Sequence, residues 1–188
     1  MKTRSLRALP LVGARKFMEK AAEGGMMEVQ AGQLASTKAT DPEVKKFAEM
    51  LVKDHTAAND ELIKMANGKH VELPPGPSHG ERKDIEKMGK QGGAAFDKEF
   101  MSMGVKDHRK DVKDFEKASG KVKDLELKAW IDKTLPRLRE HLAMAEKLQQ
   151  STGNYAAMGN RGATKSDLGT ATPKGAVTGT NTGNKTGS

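Results

Sequence analysis

The chain has no cysteine among its 188 residues. That excludes disulfides, thiolate metal sites, thiolate-held iron–sulfur clusters and cysteine nucleophiles. It leaves the compartment open, because a cysteine-free chain survives in either redox setting. Aromatic residues make up only 4%, with a single tryptophan, so stacking platforms for single-stranded nucleic acid have little to draw on. No run of apolar residues is long enough to cross a bilayer as a helix. There is no Gly-x-Ser-x-Gly nucleophile elbow, no nucleotide-binding glycine motif and no internal repeat.

Charge of one sign is missing from the body of the chain. The formal charge is +8, but residues 1–20 carry six basic residues and one acidic, and residues 150–188 carry four and one. These ends account for the whole excess, and residues 21–149 balance to zero. A folded nucleic-acid reader concentrates basic charge on one face of its body. No specific nucleic-acid partner is therefore expected, only weak, salt-sensitive attraction of the ends to polyanions.

Helix formers are abundant instead. Lysine, glutamate, alanine, leucine and methionine, of which the whole chain has eleven, dominate the sequence up to about residue 150. Apolar residues at 3-and-4 spacing predict helices over about 15–39 (Phe17, Ala21, Gly24, Met27, Ala31, Leu34, Ala35), 42–67, 94–117 and 124–150. Gly24-Gly25 lowers the helix preference of the first and would permit close approach of a neighbour. Asp41-Pro42 is a cap followed by a first-turn proline. The stretch 69–80, with Pro74-Pro75-Gly76-Pro77, cannot continue a helix, and a short one is expected over 81–90. Pro136 falls inside the last helix, where a kink is expected near residues 132–135. Trp130 just before it reads as a packing anchor. Two short turns and one long connection give an all-α fold: a ferritin-like four-helix bundle with one long crossover connection and a short extra helix.

The bundle is thus expected over 15–150. Residues 1–14 are a basic segment with the charge order of an export signal. Their apolar part spans seven residues and is interrupted by Pro10, so they read either as a plain basic terminus or as an eroded signal. Residues 151–188, rich in Gly, Thr and Asn, hold too little apolar surface to offset ordering entropy and read as a disordered tail.

Each predicted long helix places one ligating side chain in its apolar stripe: Glu28, His55, His108 and His141. Glu28 lies seven residues from both Ala21 and Ala35, and His55 seven from both Ala48 and Leu62. His108 stands between Val105 and Val112, and His141 between Leu138 and Ala145. Such groups are costly to bury without partners. They read either as a divalent-metal site or as core groups hydrogen-bonded to carboxylates and backbone. The donors suit zinc, iron, copper or manganese. The acids just before the histidines, Asp54, Asp107 and Glu140, are turned about 100° away and read as rim residues or salt-bridge partners. At 1.5 Å per residue, Glu28 and His55 fall within about 3 Å of one level, whereas His108 and His141 are offset by roughly 10 Å. This arithmetic makes Glu28 with His55 the central pair, and His108 and His141 further ligands. Methionines at helical spacing serve packing before soft-copper ligation. A di-iron oxidase carries Glu-x-x-His pairs; here Val52, Val105 and Leu138 stand three before the histidines, so that pattern is absent.

Four runs carry a resemblance: residues 17–29 (FMEKAAEGGMMEV), 41–48 (DPEVKKFA), 50–55 (MLVKDH) and 134–142 (TLPRLREHL), with Ala95-Phe96-Asp97 and His108 between them. Together they resemble a bacterial domain-of-unknown-function family whose members are often labelled outer-membrane or exported proteins, and the resemblance covers about residues 15–148. It implies a ferritin-like helical bundle and an exported, periplasmic or envelope protein, and no established enzyme activity. The weak leader keeps a cytoplasmic location open. The expectation is a non-enzymatic bundle with a divalent-metal site, serving metal handling or stress response. A structural or protein-interaction bundle without metal is the alternative, and a metal-dependent redox enzyme ranks third.

Overall fold

Asp41 and Ser78 open two of the helices in the way their side chains allow. The Asp41 carboxylate accepts from the Glu43 N–H at 2.8 Å, with Pro42 in the first turn. Ser78 and Glu81 form a reciprocal capping box, Glu81 N–H to Ser78 Oγ at 3.3 Å and Ser78 N–H to Glu81 Oε2 at 2.7 Å. The computed structural model describes residues 11–159, and side chains from 12 to 153. Among the described residues there are five α-helices and no strand: α1 Leu11–Lys38, α2 Pro42–Gly68, α3 His79–Gly89, α4 Gly93–Ser119 and α5 Leu125–Gly159. None is long and apolar enough to cross a membrane.

The boundaries differ from expectation at three places. The short helix α3 starts at His79, because Ser78 caps it. Helix α1 already includes Leu11, the first described residue, inside the expected terminal segment, and Ala14 packs on the apolar core. Helix α5 runs nine residues beyond Gln150; Thr152 is buried and its hydroxyl donates to the carbonyls of Leu148 and Gln149. It also passes Pro136 without a break. Pro136 and Asp132 are both exposed, so the carbonyl that the proline leaves without a donor is on the wet side. The rest of the basic segment and of the tail lies outside the described residues.

Every pair of neighbouring long helices is antiparallel. Helices α1 and α2 approach closely through glycines: a side chain at Gly25 would meet Asn59, and one at Gly32 would meet Val52 and the Ala48 carbonyl. Helices α4 and α5 are laced by Arg109–Glu146 and Arg139–Glu116 ion pairs. Helix α1 meets α4 at Thr40–Asp97 near one end and Phe17–Phe115 near the other. Helix α2 meets α5 at Asp54–His141 and Lys69–Asp124. Thus α1 and α5 run one way and α2 and α4 the other. The link from α2 to α4 must therefore return along the length of the bundle. Helix α3 lies in that link and packs on α1 and α4, with Met88 buried and the Lys38 ammonium donating to the Gly89 carbonyl.

One buried carboxylate joins the hairpins. Asp97, at the start of α4, accepts from Thr40 N–H at 3.0 Å, Thr40 Oγ1 at 2.6 Å and Asp41 N–H at 2.9 Å. It anchors the α1–α2 turn to the second half of the chain.

The interior holds two apolar clusters. The one nearer the α1–α2 turn contains Ala31, Phe47, Leu51, Phe96, Phe100 and Val105. The other contains Met18, Leu62, Phe115, Trp130, Ile131 and Leu138. The Trp130 indole N–H donates to the Ala58 carbonyl at 3.2 Å, so this residue is the packing anchor expected of it. In the first third of α1 the deepest residues are Met18 and Ala22; Phe17 and Ala21 are half-buried. Among the described residues no further helix covers the α1–α4 seam there, and the expected stripe is turned partly outward.

Candidate metal centre

Between the two clusters each long helix contributes one polar side chain at the same depth. On α2 it is His55, between Leu51 and Leu62; on α4 it is His108, between Val105 and Phe115; on α5 it is His141, between Leu138 and Ala145. On α1 it is Glu28. All four are buried, none more than 7% exposed. The 3-and-4 spacing that turns the apolar residues inward turns these inward too.

The three histidines converge. Their ring centroids are 5.3–5.5 Å apart in every pair, and one ring nitrogen from each lies within 4.8 Å of the others. His55 Nε2 and His108 Nε2 are 3.4 Å apart. Two imidazole nitrogens bound to one tetrahedral zinc, each at about 2.05 Å, lie about 3.3 Å apart. That pair already has the edge length of a shared coordination sphere. The remaining separations would have to close by at most about 1.5 Å.

Hydrogen bonds decide which nitrogens are available. His108 Nδ1 faces the Gly104 carbonyl at 2.9 Å, and a carbonyl only accepts. Its proton is therefore on Nδ1, and the lone pair of the neutral ring is on Nε2, toward His55. His141 Nε2 donates to Asp54 Oδ2 at 3.0 Å. Its lone pair is on Nδ1, a buried atom with no hydrogen-bond partner. A ligating histidine characteristically gives its other N–H to a carboxylate or a backbone carbonyl, which orients the ring and fixes the tautomer. Both arrangements occur here.

Electrostatics keep the rings neutral. Burial, reinforced by His108 and His141, pushes His55 well below the ordinary histidine value. Burial lowers His108 to about 4, against the partly compensating Gly104 carbonyl. Burial also lowers His141, although Asp54 pulls the other way. Neutral imidazole is the form that binds a metal.

Glu28 sits behind His108. Its Oε1 is 3.5 Å from His108 Nδ1, is buried and has no hydrogen-bond partner. Burial, followed by the negative charges of Asp107 and Asp111, raises its pKa well above the usual carboxyl range. An orphaned buried carboxyl beside three neutral imidazoles is an uncompensated cost.

These positions correct part of the level arithmetic. Straight-helix counting put His108 and His141 roughly 10 Å apart in height, yet their rings are 5.3 Å apart. The counting assumed a turn symmetric about residue 121. Instead Ser119 faces Lys128 and Asp132, nine and thirteen residues on, so the first turn of α5 overhangs the end of α4. For α1 and α2, the Gly25–Asn59 and Gly32–Val52 contacts bracket Glu28 and His55 on one level, as counted. The cluster nevertheless centres on the histidines, and Glu28 meets it through His108.

Sequence reasoning missed Asp54 as a partner of His141. It is turned away from His55, its neighbour in sequence, and thereby toward α5. The repeated acid–histidine dipeptide was the available signal, but without knowing that α2 lies beside α5 it could not be used.

The structure therefore defines a helical bundle with a buried, pre-oriented imidazole cluster. The chain belongs to the family described as Domain of unknown function (DUF4142), whose model matches residues 5–148. That match spans all four polar positions and begins ten residues before the stretch in which the resemblance was legible. No curated protein and no solved structure matches the chain.

Proposed function

We propose that this protein is a non-enzymatic, ferritin-like bundle that binds a divalent transition metal through His55, His108 and His141. The observation that carries the reading is the disposition of lone pairs. His108 Nε2 and His141 Nδ1 are both directed into the bundle by partners holding the opposite nitrogens, and His55 Nε2 stands 3.4 Å from the first. Without metal, His55 Nε2–H can donate to the His108 Nε2 lone pair, while His141 Nδ1 has no partner; a shared cation would take the place of that one proton and use all three lone pairs. The donor set suits zinc, iron, copper or manganese, and the neutral imidazoles favour zinc, copper or iron over a hard oxygen-seeking ion.

Asp54 and the Gly104 carbonyl orient the ligands. Glu28 completes the set: once ionised, it offers the cation a buried negative charge 3.5 Å from His108 Nδ1, whose proton stays with the Gly104 carbonyl. The site binds and retains the metal, which fits metal handling or a stress response. The fold without metal, as a structural or interaction bundle, is the competing reading, favoured only by the completeness of the two apolar clusters. The charge order of residues 1–14 and the exported character implied by the resemblance support a place in the periplasm or cell envelope. Mass spectrometry of the N-terminus of the protein from its host tests that location.

Equilibrium dialysis of the untagged protein against zinc, copper and ferrous ions tests the site. One equivalent should bind to the native chain, and none to His108→Ala or His141→Ala variants that keep a native circular dichroism spectrum. Equal binding by those variants would move the metal elsewhere. No binding by the native chain would leave the bundle structural.

A further inference from the structure

Among the described residues, the crossover covers only half of one seam. Helix α3 packs over α1 and α4 on the side near the α1–α2 turn, with Leu34 and Lys38 against Gly89. Beyond the histidine layer the seam opens into a groove of about 920 Å³. Its floor is apolar: Phe17, Ala21, Phe115, Ala118 and Val122. Its rim is not balanced. Lys16, Lys20, Lys117, Lys121 and Lys123 line it and form no ion pair among the described residues. The acids beside them are already engaged, Asp111 and Asp114 by Lys110, and Asp124 by Lys69.

We propose that this groove binds a single-chain anionic amphiphile, a long-chain carboxylate of the fatty-acid kind. The volume falls in the range of small-molecule sites, roughly 300–1,000 Å³. The floor contributes none of the buried, unpartnered side-chain polar atoms found among the described residues; those are Glu28 Oε1 and His141 Nδ1, both in the histidine layer. A guest therefore gains from burying hydrocarbon and from no directional polar contact below the rim. At the rim, six lysines face three aspartates, one of them already paired with Lys69; the net positive charge attracts a single anionic head, and the long lysine stems add apolar cover. A peptide would bring backbone groups that this floor cannot satisfy. The proposal is independent of the metal centre.

The protein carries its own reporter. Trp130 is the only tryptophan, and its ring centre lies 6.5 Å from Phe17 and 5.5 Å from Phe115, the two aromatic residues of the floor. Titrating the full chain with brominated stearate, below its micelle concentration, should quench Trp130 fluorescence saturably. Brominated stearyl alcohol, which lacks the charge, should bind at least tenfold more weakly. The Lys117→Glu/Lys121→Glu double variant should weaken stearate binding by tenfold or more, and Ala21→Phe should weaken it by narrowing the floor. Both should keep the native melting temperature and zinc stoichiometry. The proposal is overturned by an absence of quenching, by equal quenching with the alcohol, or by full binding in the charge-reversed variant. It is equally overturned if quenching appears only after deletion of residues 1–10, which would assign the groove to the chain's own N-terminal segment. A dimer seated on the seam, seen by light scattering and unaffected by stearate, would overturn it as well.

Discussion

The apolar clusters and the polar layer between them are made by the same helices, with the same spacing, yet they obey opposite energetics. In the clusters, Phe47 and Phe100 meet edge to face at 6.3 Å, and Phe17, Phe115 and Trp130 form a second aromatic group; burial there stabilises directly. In the layer, Glu28 Oε1 and His141 Nδ1 are buried without partners, and all four titratable groups are shifted toward their neutral forms. The layer weakens the fold, and the clusters offset it. A bundle maintained only for stability would gain by filling the layer with leucine. On the proposed metal-binding reading, the difference is what a binding site costs the fold that carries it.

The comparison is most exposed at its strong side. Replacing Phe100 by alanine should destabilise the bundle by about 4 kcal/mol in chemical denaturation, the usual loss for a buried aromatic. A loss below about 1 kcal/mol would mean that the cluster is not close-packed.

Acid should act on the layer next. His55, His108 and His141 all have native pKa values below the unfolded value of 6.5. Between that value and the native ones the unfolded chain binds more protons, so stability present above pH 6.5 is lost as pH falls toward the native values. For His108, from 6.5 to about 4, the loss is on the order of 3 kcal/mol. Melting curves of the metal-free protein between pH 7.5 and 4.5 should show this loss, and a variant with His108→Leu should show less of it. A flat profile would mean that the rings are solvated.

Metal should reverse the deficit. A cation that binds only the native state, at about 100 times its dissociation constant, raises stability by about 2.7 kcal/mol. Zinc should therefore raise the melting temperature at pH 7, and the rise should disappear in His141→Ala. Losing Asp54 should be milder. Asp54→Ala frees His141 Nε2 from its 3.0 Å hydrogen bond and should lower zinc affinity by about 10- to 100-fold, as loss of a ligand's orienting partner does. Unchanged affinity would separate Asp54 from the site.

The smallest effect has the opposite sign. Glu28→Met removes an orphaned carboxyl and should stabilise the metal-free protein by about 1 kcal/mol at neutral pH. Because the native pKa of Glu28 is raised, the native state holds a proton that the unfolded chain releases above about 4.5, so the wild type loses stability as pH rises through that window. The gain from Glu28→Met should accordingly grow with pH. The same variant should bind zinc more weakly, which sets stability and binding directly against each other.

Helix number, the long crossover and the inward turn of Glu28, His55, His108 and His141 were all legible along the chain. They depend on local spacing, on Asp41-Pro42 and Pro74–Pro77, and on the 3.6-residue period, which needs no partner helix to define it. The height of His141 was not legible, because it depends on how far α5 overhangs α4 at a turn held by Ser119, Lys128 and Asp132. The role of Asp54 was not either, since a side chain turned 100° from its neighbour has meaning only once α2 is known to lie beside α5. The open end of the α1–α4 seam follows from where α3 comes to rest. Periodicity says which face of a helix is buried; register between helices and the choice of neighbours come from long-range packing, and those set which buried groups meet.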